Sequence, residues 1–305
     1  MKNIRGYWKV TILTWFMVLI ETACEVFVAF FMQDLIDSVN EIGASGEMDA
    51  GPIYMYAGII ASFAVVAAIT GILAGAFAAK ASAGFGKNLR DSVFSHVQEF
   101  SFKNIDKFST SSIITRTTTD VTNVQFAFLQ VIRAVIRAPF LMVFALIMCF
   151  VTDWKIAWIF LIIIPIVLFA LLFLAKFVHP TFVTVFDTYD KLNEEVQEDV
   201  DGIRVVKSYD RESYMKEKFG KVSDFIYRNF VHAEKIMAAN NPILTLAVYG
   251  AITLISYFGA QQIVASNNTE LSVGALSTLV TYVMMIMMSL MLISMVFTMI
   301  IIARN

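Results

Sequence analysis

Six apolar segments, each about twenty residues long or longer, dominate this chain of 305 residues. A helix needs roughly 20 apolar residues to cross the hydrocarbon core of a bilayer. Because 58% of the residues are hydrophobic and only 16% are charged, the apolar surface exceeds what a water-soluble domain buries. The sequence therefore predicts an all-α membrane protein. Its six transmembrane helices are expected at about 10–32, 54–79, 134–152, 156–178, 242–265 and 275–302.

The connections between these spans are unequal in length and in charge. The first, third and fifth are short, and Lys155 is their only basic residue. The second and fourth, at about 80–133 and 179–241, are long and rich in lysine and arginine. Loops of up to about 60 residues that are rich in lysine and arginine stay on the cytoplasmic side of a membrane. We predict an integral multi-pass protein of a bacterial plasma membrane, with its N-terminus and both long loops in the cytoplasm.

Both long loops have the composition of helices. They are polar and rich in helix-forming residues, and their apolar residues recur at helical spacing, as in Phe94, Val97 and Phe100. Four of the spans are therefore predicted to continue as helices and to pair as two long cytoplasmic hairpins. We call the segment at about 80–133 the first hairpin and the segment at about 179–241 the second hairpin.

Each hairpin needs a turn at its far end. In the first hairpin, Asn104 and Ser109 are suited to begin a helix, because their side chains can accept hydrogen bonds from free backbone N–H groups. In the second hairpin, Gly202 is the only glycine between Gly86 and Gly220. An isolated glycine in a helical pattern favours a helix break, so the second turn is predicted at this residue.

Four short motifs mark the turns and the ends of the spans. Thr-Arg-x-x-x-Asp-Val occupies residues 115–121, and Gly-Ile-Arg-Val-Val-Lys-Ser-Tyr occupies residues 202–209. Val-Gly at 273–274 opens the sixth span, and Asp-Leu-Ile-Asp at 34–37 follows the first. With these motifs and this loop pattern, the chain resembles the transmembrane domain of exporters of the ATP-binding cassette (ABC) superfamily. The resemblance is to the six-helix, type-1 fold of multidrug and lipid exporters and covers essentially the whole chain.

The resemblance implies that residues 1–305 form one ABC exporter transmembrane domain, with the nucleotide-binding domain absent from this chain. The sequence has no Gly-x-x-x-x-Gly-Lys-Ser/Thr loop, whose backbone N–H groups cradle phosphates. ATP and magnesium are expected to bind outside this chain, to a nucleotide-binding domain that is covalently attached or separate. ATPase activity is expected only with that domain, and we predict no catalytic or metal site within the chain. A second transmembrane domain, as a homodimer or heterodimer, and membrane lipid are the other expected partners. The net charge of −2 does not indicate nucleic acid.

The resemblance also implies that short coupling helices at the two turns dock on the nucleotide-binding domains. They are expected at about 104–111 and 202–209. The residues expected to take part in this coupling are Asn104, Ile105, Asp106, Lys107, Phe108, Arg116, Asp120, Gly202, Ile203, Arg204, Val206, Lys207 and Tyr209.

Two acidic residues, Glu21 and Glu25, lie on one face of the first span. Ionisable groups in apolar spans are costly and usually face a cavity or a partner. One interpretation is an acidic pair that attracts a cationic amphiphile or carries protons, and the other is a buried hydrogen bond to another span. Arg133 and Arg137 lie near the cytoplasmic end of the third span. Because residue counting places Glu21 near the middle of the bilayer, we expect no direct pairing with these arginines.

The sixth span is rich in methionine, a flexible side chain that suits varied ligands but also serves ordinary packing or lipid contact. Both interpretations remain open. The candidate substrate cavity comprises Glu21, Glu25, Arg137, Met288, Met291 and Met295.

The functional hypothesis is the substrate pathway of an ATP-driven exporter. Alternating access would move an amphipathic or hydrophobic substrate, such as a drug, a lipid or a peptide, out of the cytoplasm. The alternative is an ATP-independent six-span permease or channel. Long charged hairpins have no evident purpose in a simple channel, and ATP dependence would separate the two hypotheses.

Overall fold

The computed structural model describes residues 4–45, 50–100, 110–266 and 269–304. All regular secondary structure within these ranges is helical, which confirms the predicted all-α class. The α-helices are α1 (Trp8–Ser45), α2 (Gly51–Gln98), α3 (Thr110–Thr115), α4 (Val121–Thr152), α5 (Trp154–Asp201), α6 (Ile203–Ser208), α7 (Glu212–Ala238), α8 (Asn240–Ser266) and α9 (Val273–Arg304).

Within these described ranges, six helical segments are long and apolar enough to cross a membrane. They include α1, α2, α4, the first part of α5, α8 and most of α9. The chain is therefore an integral multi-pass membrane protein with the six transmembrane helices predicted from the sequence.

Two of these helices are much longer than a bilayer requires. Helices α2 and α5 contain 48 residues each, which at 1.5 Å per residue corresponds to about 72 Å. A hydrocarbon core of about 30 Å leaves a large part of each helix outside it. For these two spans, the predicted continuation as helices beyond the length of a span is confirmed.

The chain divides into two compact units. The first consists of Met1–Leu161 and Ala251–Met299 and contains α1, α2 and α4. Aromatic rings bring these three helices together, because the ring of Phe27 lies 5.6 Å from those of both Phe63 and Phe144. The indole N–H of Trp15 also donates to the carbonyl of Ile132 at 3.1 Å, which joins α1 to α4.

The second unit consists of Ile162–Gly250 and Ile300–Asn305 and contains the second hairpin. Its two long arms are the end of α5 and α7. The ammonium group of Lys218 on α7 lies 3.6 Å from a carboxylate oxygen of Glu195 on α5. This ion pair links the two arms between the turn and the apolar spans.

Two aspartates organise the short loops of the first unit. Asp153 caps the start of α5 and accepts a hydrogen bond from the side-chain amide of Gln262 at 2.9 Å. Asp37 accepts hydrogen bonds from the N–H of Gly274, at 2.8 Å, and from the hydroxyl of Ser272. A carboxylate at a helix N-terminus satisfies free N–H groups and is favoured by the helix dipole. Asp37 therefore fastens the start of α9 to α1.

The backbones of α1 and α9 approach closely at Gly274. A Cβ atom on this residue would lie 2.3 Å from the carbonyl oxygen of Gln33 and 2.8 Å from the carboxyl carbon of Asp37. One turn further on, the hydroxyl of Thr278 donates to the carbonyl of Ala29 at 3.0 Å. The structure thus brings together the Asp-Leu-Ile-Asp and Val-Gly motifs, which are more than 230 residues apart in the sequence.

Candidate functional site

A charged cluster lies among the apolar helices of the first unit. The Arg137 guanidinium of α4 donates to Oε1 of Glu21 at 2.8 Å and to the two carboxylate oxygens of Glu25 at 2.7 and 3.0 Å. The Glu21 side chain is 11% exposed, whereas the Glu25 and Arg137 side chains are about one-third exposed. One guanidinium therefore serves both carboxylates, a charge-assisted arrangement that is stronger than neutral hydrogen bonds.

Two further residues adjoin this cluster. Arg133, one turn before Arg137 on α4, has its Nη2 atom 3.9 Å from Oε2 of Glu21. On the other side, a Cβ atom on Gly71 of α2 would lie 3.2 Å from Oε1 of Glu21. Glu21 thus lies between α2 and α4.

The expectation that Glu21 would not pair with the arginines is wrong. Residue counting assumed that the first span ends near residue 32, whereas α1 continues to Ser45. Measured from the short-loop end, Glu21 precedes Asp37 by sixteen residues and Arg137 precedes Asp153 by sixteen residues. Both side chains therefore lie about 24 Å along their helices from these two aspartates, and their hydrogen bond places them at the same depth. Of the two interpretations of the acids, the structure favours bonding to another span.

The methionines of the predicted cavity lie on a different helix. Met288, Met291 and Met295 form an exposed stripe along one face of α9, and the neighbouring Met287 is buried. Among the described residues, hydrogen bonds and ion pairs join Glu21, Glu25 and Arg137 to one another but not to the methionine stripe. The six predicted cavity residues thus fall into two groups.

The turn of the second hairpin contains the short helix α6. The N–H of Gly202 still bonds to Glu198 at 2.9 Å, and α6 begins at the next residue, so the predicted helix break at Gly202 is confirmed. Helix α6 ends beside Asp210, whose φ of 51° is in the left-handed region. The N–H of Arg211 then bonds to the carbonyl of Val206 at 3.0 Å and closes the turn.

This turn presents apolar and basic side chains to solvent. Val205 is 60% exposed and Tyr209 is 75% exposed, and both line a cleft of about 590 Å³. Tyr214 and Met215 of α7 form part of its wall. Of the predicted coupling residues in this hairpin, Ile203, Arg204, Lys207 and Tyr209 are exposed, Gly202 is half-buried and Val206 is buried.

The first hairpin is described only in part. The predicted coupling residues Asn104, Ile105, Asp106, Lys107 and Phe108 lie outside the described residues. Arg116 and Asp120 are exposed at the two ends of a π-helical turn, Arg116–Asp120, which was not predicted.

Two threonine side chains in this π-helical turn bond back to the preceding turn. The hydroxyl of Thr117 donates to the carbonyl of Ile113 at 2.8 Å, and that of Thr118 donates to Ile114 at 2.7 Å. Such bonds to the preceding turn compete with the backbone ladder and distort helices. Beside the turn, Arg116 and Ile113 line a mainly apolar cavity of about 330 Å³ together with Phe100 and residues of α2.

Comparison with known proteins agrees with this architecture. The family model of the ABC transporter transmembrane region matches residues 11–290 of the chain. The chain belongs to this family. The resemblance stated from the four motifs is thereby confirmed for the ABC transporter membrane domain.

Several relatives of this ABC transmembrane region are larger proteins. An uncharacterized ABC transporter ATP-binding protein of Mycobacterium tuberculosis is 22% identical over 96% of this chain and 49% of its own length. An uncharacterized ABC transporter ATP-binding protein of Bacillus subtilis, YfiB, is 24% identical over 77% of this chain and 41% of its own length. The ABC transmembrane region thus spans about half the length, or less, of these curated relatives.

Two relationships in this ABC transmembrane region were missed by sequence reasoning. The first is the pairing of Arg137 with the acidic residues, although the i, i+4 spacing of both charged pairs was a usable signal. The second is the bond of Asp37 to Gly274, since both motifs were noticed but nothing in the sequence pairs them.

Proposed function

We propose that this ABC transmembrane region forms the substrate pathway of an ATP-driven exporter for an amphipathic or hydrophobic molecule. Family membership and the names of the relatives, which are ABC transporter ATP-binding proteins, support this proposal. ATP and magnesium would be bound by a nucleotide-binding domain, covalently attached or separate, and not by residues of this region. A second transmembrane region, identical or different, would complete the pathway in a bacterial plasma membrane, with both hairpins in the cytoplasm.

The exposed turn of the second hairpin is the observation that carries the proposal. Val205, Tyr209 and Tyr214 leave an apolar, aromatic surface open to solvent. Contiguous exposed apolar surface marks interaction sites, and tyrosine and arginine are frequent at the centres of protein interfaces. Arg204 and Lys207 add exposed positive charge beside it. We therefore expect a protein partner to cover this surface. We assign the nucleotide-binding domain as that partner.

The second hairpin connects its turn to the apolar spans through continuous helices. Between Ile162 and Asp201, α5 is a continuous helix of about 60 Å, and the Lys218–Glu195 ion pair ties α7 to it. A displacement of the turn would therefore be transmitted to the apolar part of the helix. ATP would drive the change from inward-open to outward-open because it binds one of the two states more tightly.

The exposed methionine stripe of α9 supports the substrate side of the proposal. Met288, Met291 and Met295 are unbranched and polarisable, and such side chains adapt to ligands of varied shape. In the proposed exporter this stripe lines the pathway between the two transmembrane regions.

Photocross-linking from the turn tests the docking step. Benzoylphenylalanine in place of Tyr209 is expected to cross-link, in membranes of the native host, to a peptide from an ATP-binding domain. The matched control is the same replacement of Tyr227, which is 66% exposed and lies on α7. Mass spectrometry of the cross-linked peptides identifies the partner.

The outcomes are distinct for the two functional hypotheses. Cross-linking at position 209 but not at position 227 supports the exporter hypothesis. The double variant Arg204→Glu, Lys207→Glu should weaken the cross-linking at position 209. Lys221→Glu on α7 serves as the charge-reversal control and should leave it unchanged. Efficient incorporation at position 209 without any ATP-binding domain among the products would contradict the docking claim and favour the ATP-independent permease.

A further inference from the structure

A polar cavity lies between the two arms of the first hairpin. Its volume is about 460 Å³, and it is lined by Arg90 of α2 and by Thr118, Thr119, Thr122 and Asn123 of the facing arm. All five side chains carry hydrogen-bond donors. Because Thr118, Thr119 and Asn123 are exposed, the cavity opens to solvent. Small-molecule sites commonly have volumes of about 300–1,000 Å³, so this cavity has room for a small ligand.

Arg90 gives the cavity a positive charge. It is the only charged side chain among the described residues that line the cavity. Its Nη2 atom donates to the hydroxyl of Thr122 at 3.0 Å, and it has no carboxylate partner in the part of the chain that the structure describes. A guanidinium is permanently charged and offers five N–H donors. Most of these donors therefore remain available to an anionic ligand.

Two neutral donors on the facing arm are also available. The hydroxyl of Thr119 and the carboxamide of Asn123 make no hydrogen bond with other described residues. In contrast, the hydroxyls of Thr118 and Thr122 already donate to backbone carbonyls of the preceding turn, at 2.7 and 2.8 Å. Thr118 and Thr119 belong to the π-helical turn, and such turns are frequent at functional sites. The cavity thus combines one charged and two neutral donor groups, which suits an oxyanion with several acceptor oxygens.

The position of Arg90 along α2 indicates where the ligand comes from. Arg90 follows Gly51, the first residue of α2, by 39 residues, which is about 58 Å along the helix. A bilayer with its headgroups is about 40–45 Å thick. The cavity therefore lies beyond the lipid headgroups, where a water-soluble anion reaches it directly.

We propose that Arg90, Thr119 and Asn123 bind the phosphate group of a water-soluble phosphate monoester. Such a group carries a charge of about −1.5 to −2 at neutral pH and three strong acceptor oxygens. Arginine binds phosphate through two parallel N–H···O bonds, and the rest of the cavity holds the organic part of the ligand. The ligand contacts both arms and so holds them together. This site goes beyond the proposed exporter function and does not depend on it.

Protection of Arg90 from phenylglyoxal tests the proposal at the residue itself. Phenylglyoxal modifies accessible guanidinium groups, and mass spectrometry of peptides from the purified full chain in neutral detergent measures the modification of each arginine. Ribose 5-phosphate should slow the modification of Arg90 several-fold, inorganic phosphate should slow it less, and ribose should have no effect. Arg228, which is exposed on α7, is the matched control and should react at the same rate throughout.

Calorimetric titration with ribose 5-phosphate measures the contribution of each donor. Arg90→Gln should weaken binding about tenfold, the loss of one charge-assisted hydrogen bond, and Arg90→Lys should weaken it less. Thr119→Val and Asn123→Ala should each weaken binding about fivefold, the loss of one neutral hydrogen bond. These two variants remove no hydrogen bond between described residues, so the hairpin should fold normally. Arg228→Gln is the control and should leave the affinity unchanged.

Three results would overturn the proposal. Equal protection of Arg90 and Arg228 would show a general effect of ionic strength, and equal affinity of Arg90→Gln and the unchanged protein would show that Arg90 is not a ligand-binding residue. Absence of protection by both phosphate probes would exclude a phosphate site.

A lipid source is tested separately. Protection by dioleoylphosphatidic acid in mixed micelles, but not by ribose 5-phosphate, would identify a lipid headgroup and reject the water-soluble ligand. None of these measurements uses ATP or a nucleotide-binding domain, so failure of the phosphate site would leave the exporter proposal intact. Failure of ATP-driven transport would likewise leave the phosphate site standing.

Discussion

Nη1 of Arg137 lies 2.8 Å from Oε1 of Glu21, so an ion pair among apolar helices joins α4 to α1. The same guanidinium also binds Glu25, one turn along α1. Charged groups in such a place are costly unless they are paired and hydrogen-bonded. The cluster therefore explains how the first span accommodates two acidic residues, and it fixes the relative depth of the two helices.

Replacing the arginine should destabilise the protein. Arg137→Gln leaves both carboxylates without their charged partner, and loss of one member of a buried ion pair costs about 3–5 kcal/mol. Because the Arg137 side chain is 29% exposed, we expect the lower end of this range, about 3 kcal/mol. Thermal unfolding in detergent measures the change. The triple variant Glu21→Gln, Glu25→Gln, Arg137→Gln should recover much of the loss, and an unchanged melting temperature for Arg137→Gln would contradict the account.

The close approach of α1 and α9 predicts a severe effect at one glycine. Gly274→Ala would place a methyl group 2.3 Å from the backbone oxygen of Gln33, which cannot move away as a flexible side chain would. We expect a loss of stability of several kcal/mol, about the upper range for a single substitution.

Gly75→Ala is the matched control for this experiment. A Cβ atom at Gly75 on α2 would meet nothing within 4 Å. Alanine is favoured over glycine inside a helix by about 0.5–1 kcal/mol, so this variant should be neutral or slightly stabilised. Equal melting temperatures for the two alanine variants would show that the α1–α9 contact is looser than described.

The end of α6 depends on the left-handed conformation of Asp210. Asp210→Gly should be tolerated, since glycine adopts a φ of 51° without strain. Asp210→Val should cost about 1–2 kcal/mol locally, because a β-branched residue is disfavoured there. Hydrogen exchange at the N–H of Arg211, which bonds to Val206, should be faster in the valine variant only. Equal exchange rates in both variants would show that the left-handed conformation of Asp210 does not stabilise the hydrogen bond between Arg211 and Val206.

The short-loop end contains an ion pair that predicts a pH effect. The hydrogen bond and charge of Lys155 lower the pKa of the Glu270 carboxyl from its usual value. A lowered pKa means that the contribution to stability is present above the usual value and is lost as the pH falls through the lowered one. Because Glu270 is exposed, we expect a small contribution.

Titration of the Glu270 carboxyl carbon by NMR measures this shift directly. Lys155→Gln should raise the midpoint towards that of an ordinary glutamate. Lys221→Gln on α7 is the control and should leave the midpoint unchanged. A midpoint that is insensitive to Lys155→Gln would disprove the stated cause.

The helices could be predicted from the sequence, whereas the contacts between them could not. Apolar length and helical spacing were sufficient for the six spans and the hairpins, because these properties are local. Gly202 was also found locally, as the one glycine in a long helical pattern. The pairing of Arg137 with Glu21 depends on where α1 ends, and α1 continues past the apolar residues to Ser45. Hydropathy alone therefore gave the wrong depth.

Other features required the tertiary structure. Asp37 and Gly274 lie near opposite ends of the sequence, and their contact follows from the packing of α1 against α9. The π-helical turn at Arg116–Asp120 lies in a run of threonines, two of which bond back to the preceding turn. The threonine run was visible in the sequence, but its bonding pattern was not.

The most direct test of the exporter proposal is the ATP dependence of transport. Inside-out vesicles from the native host, containing the protein with its native partners, are incubated with a neutral fluorescent amphiphile such as N-phenyl-1-naphthylamine. Accumulation is expected with ATP and magnesium, and it should fall to the level without ATP in the Arg204→Glu, Lys207→Glu variant but not in Lys221→Glu. Equal accumulation without ATP, or full ATP-driven transport by the double variant, would contradict the account.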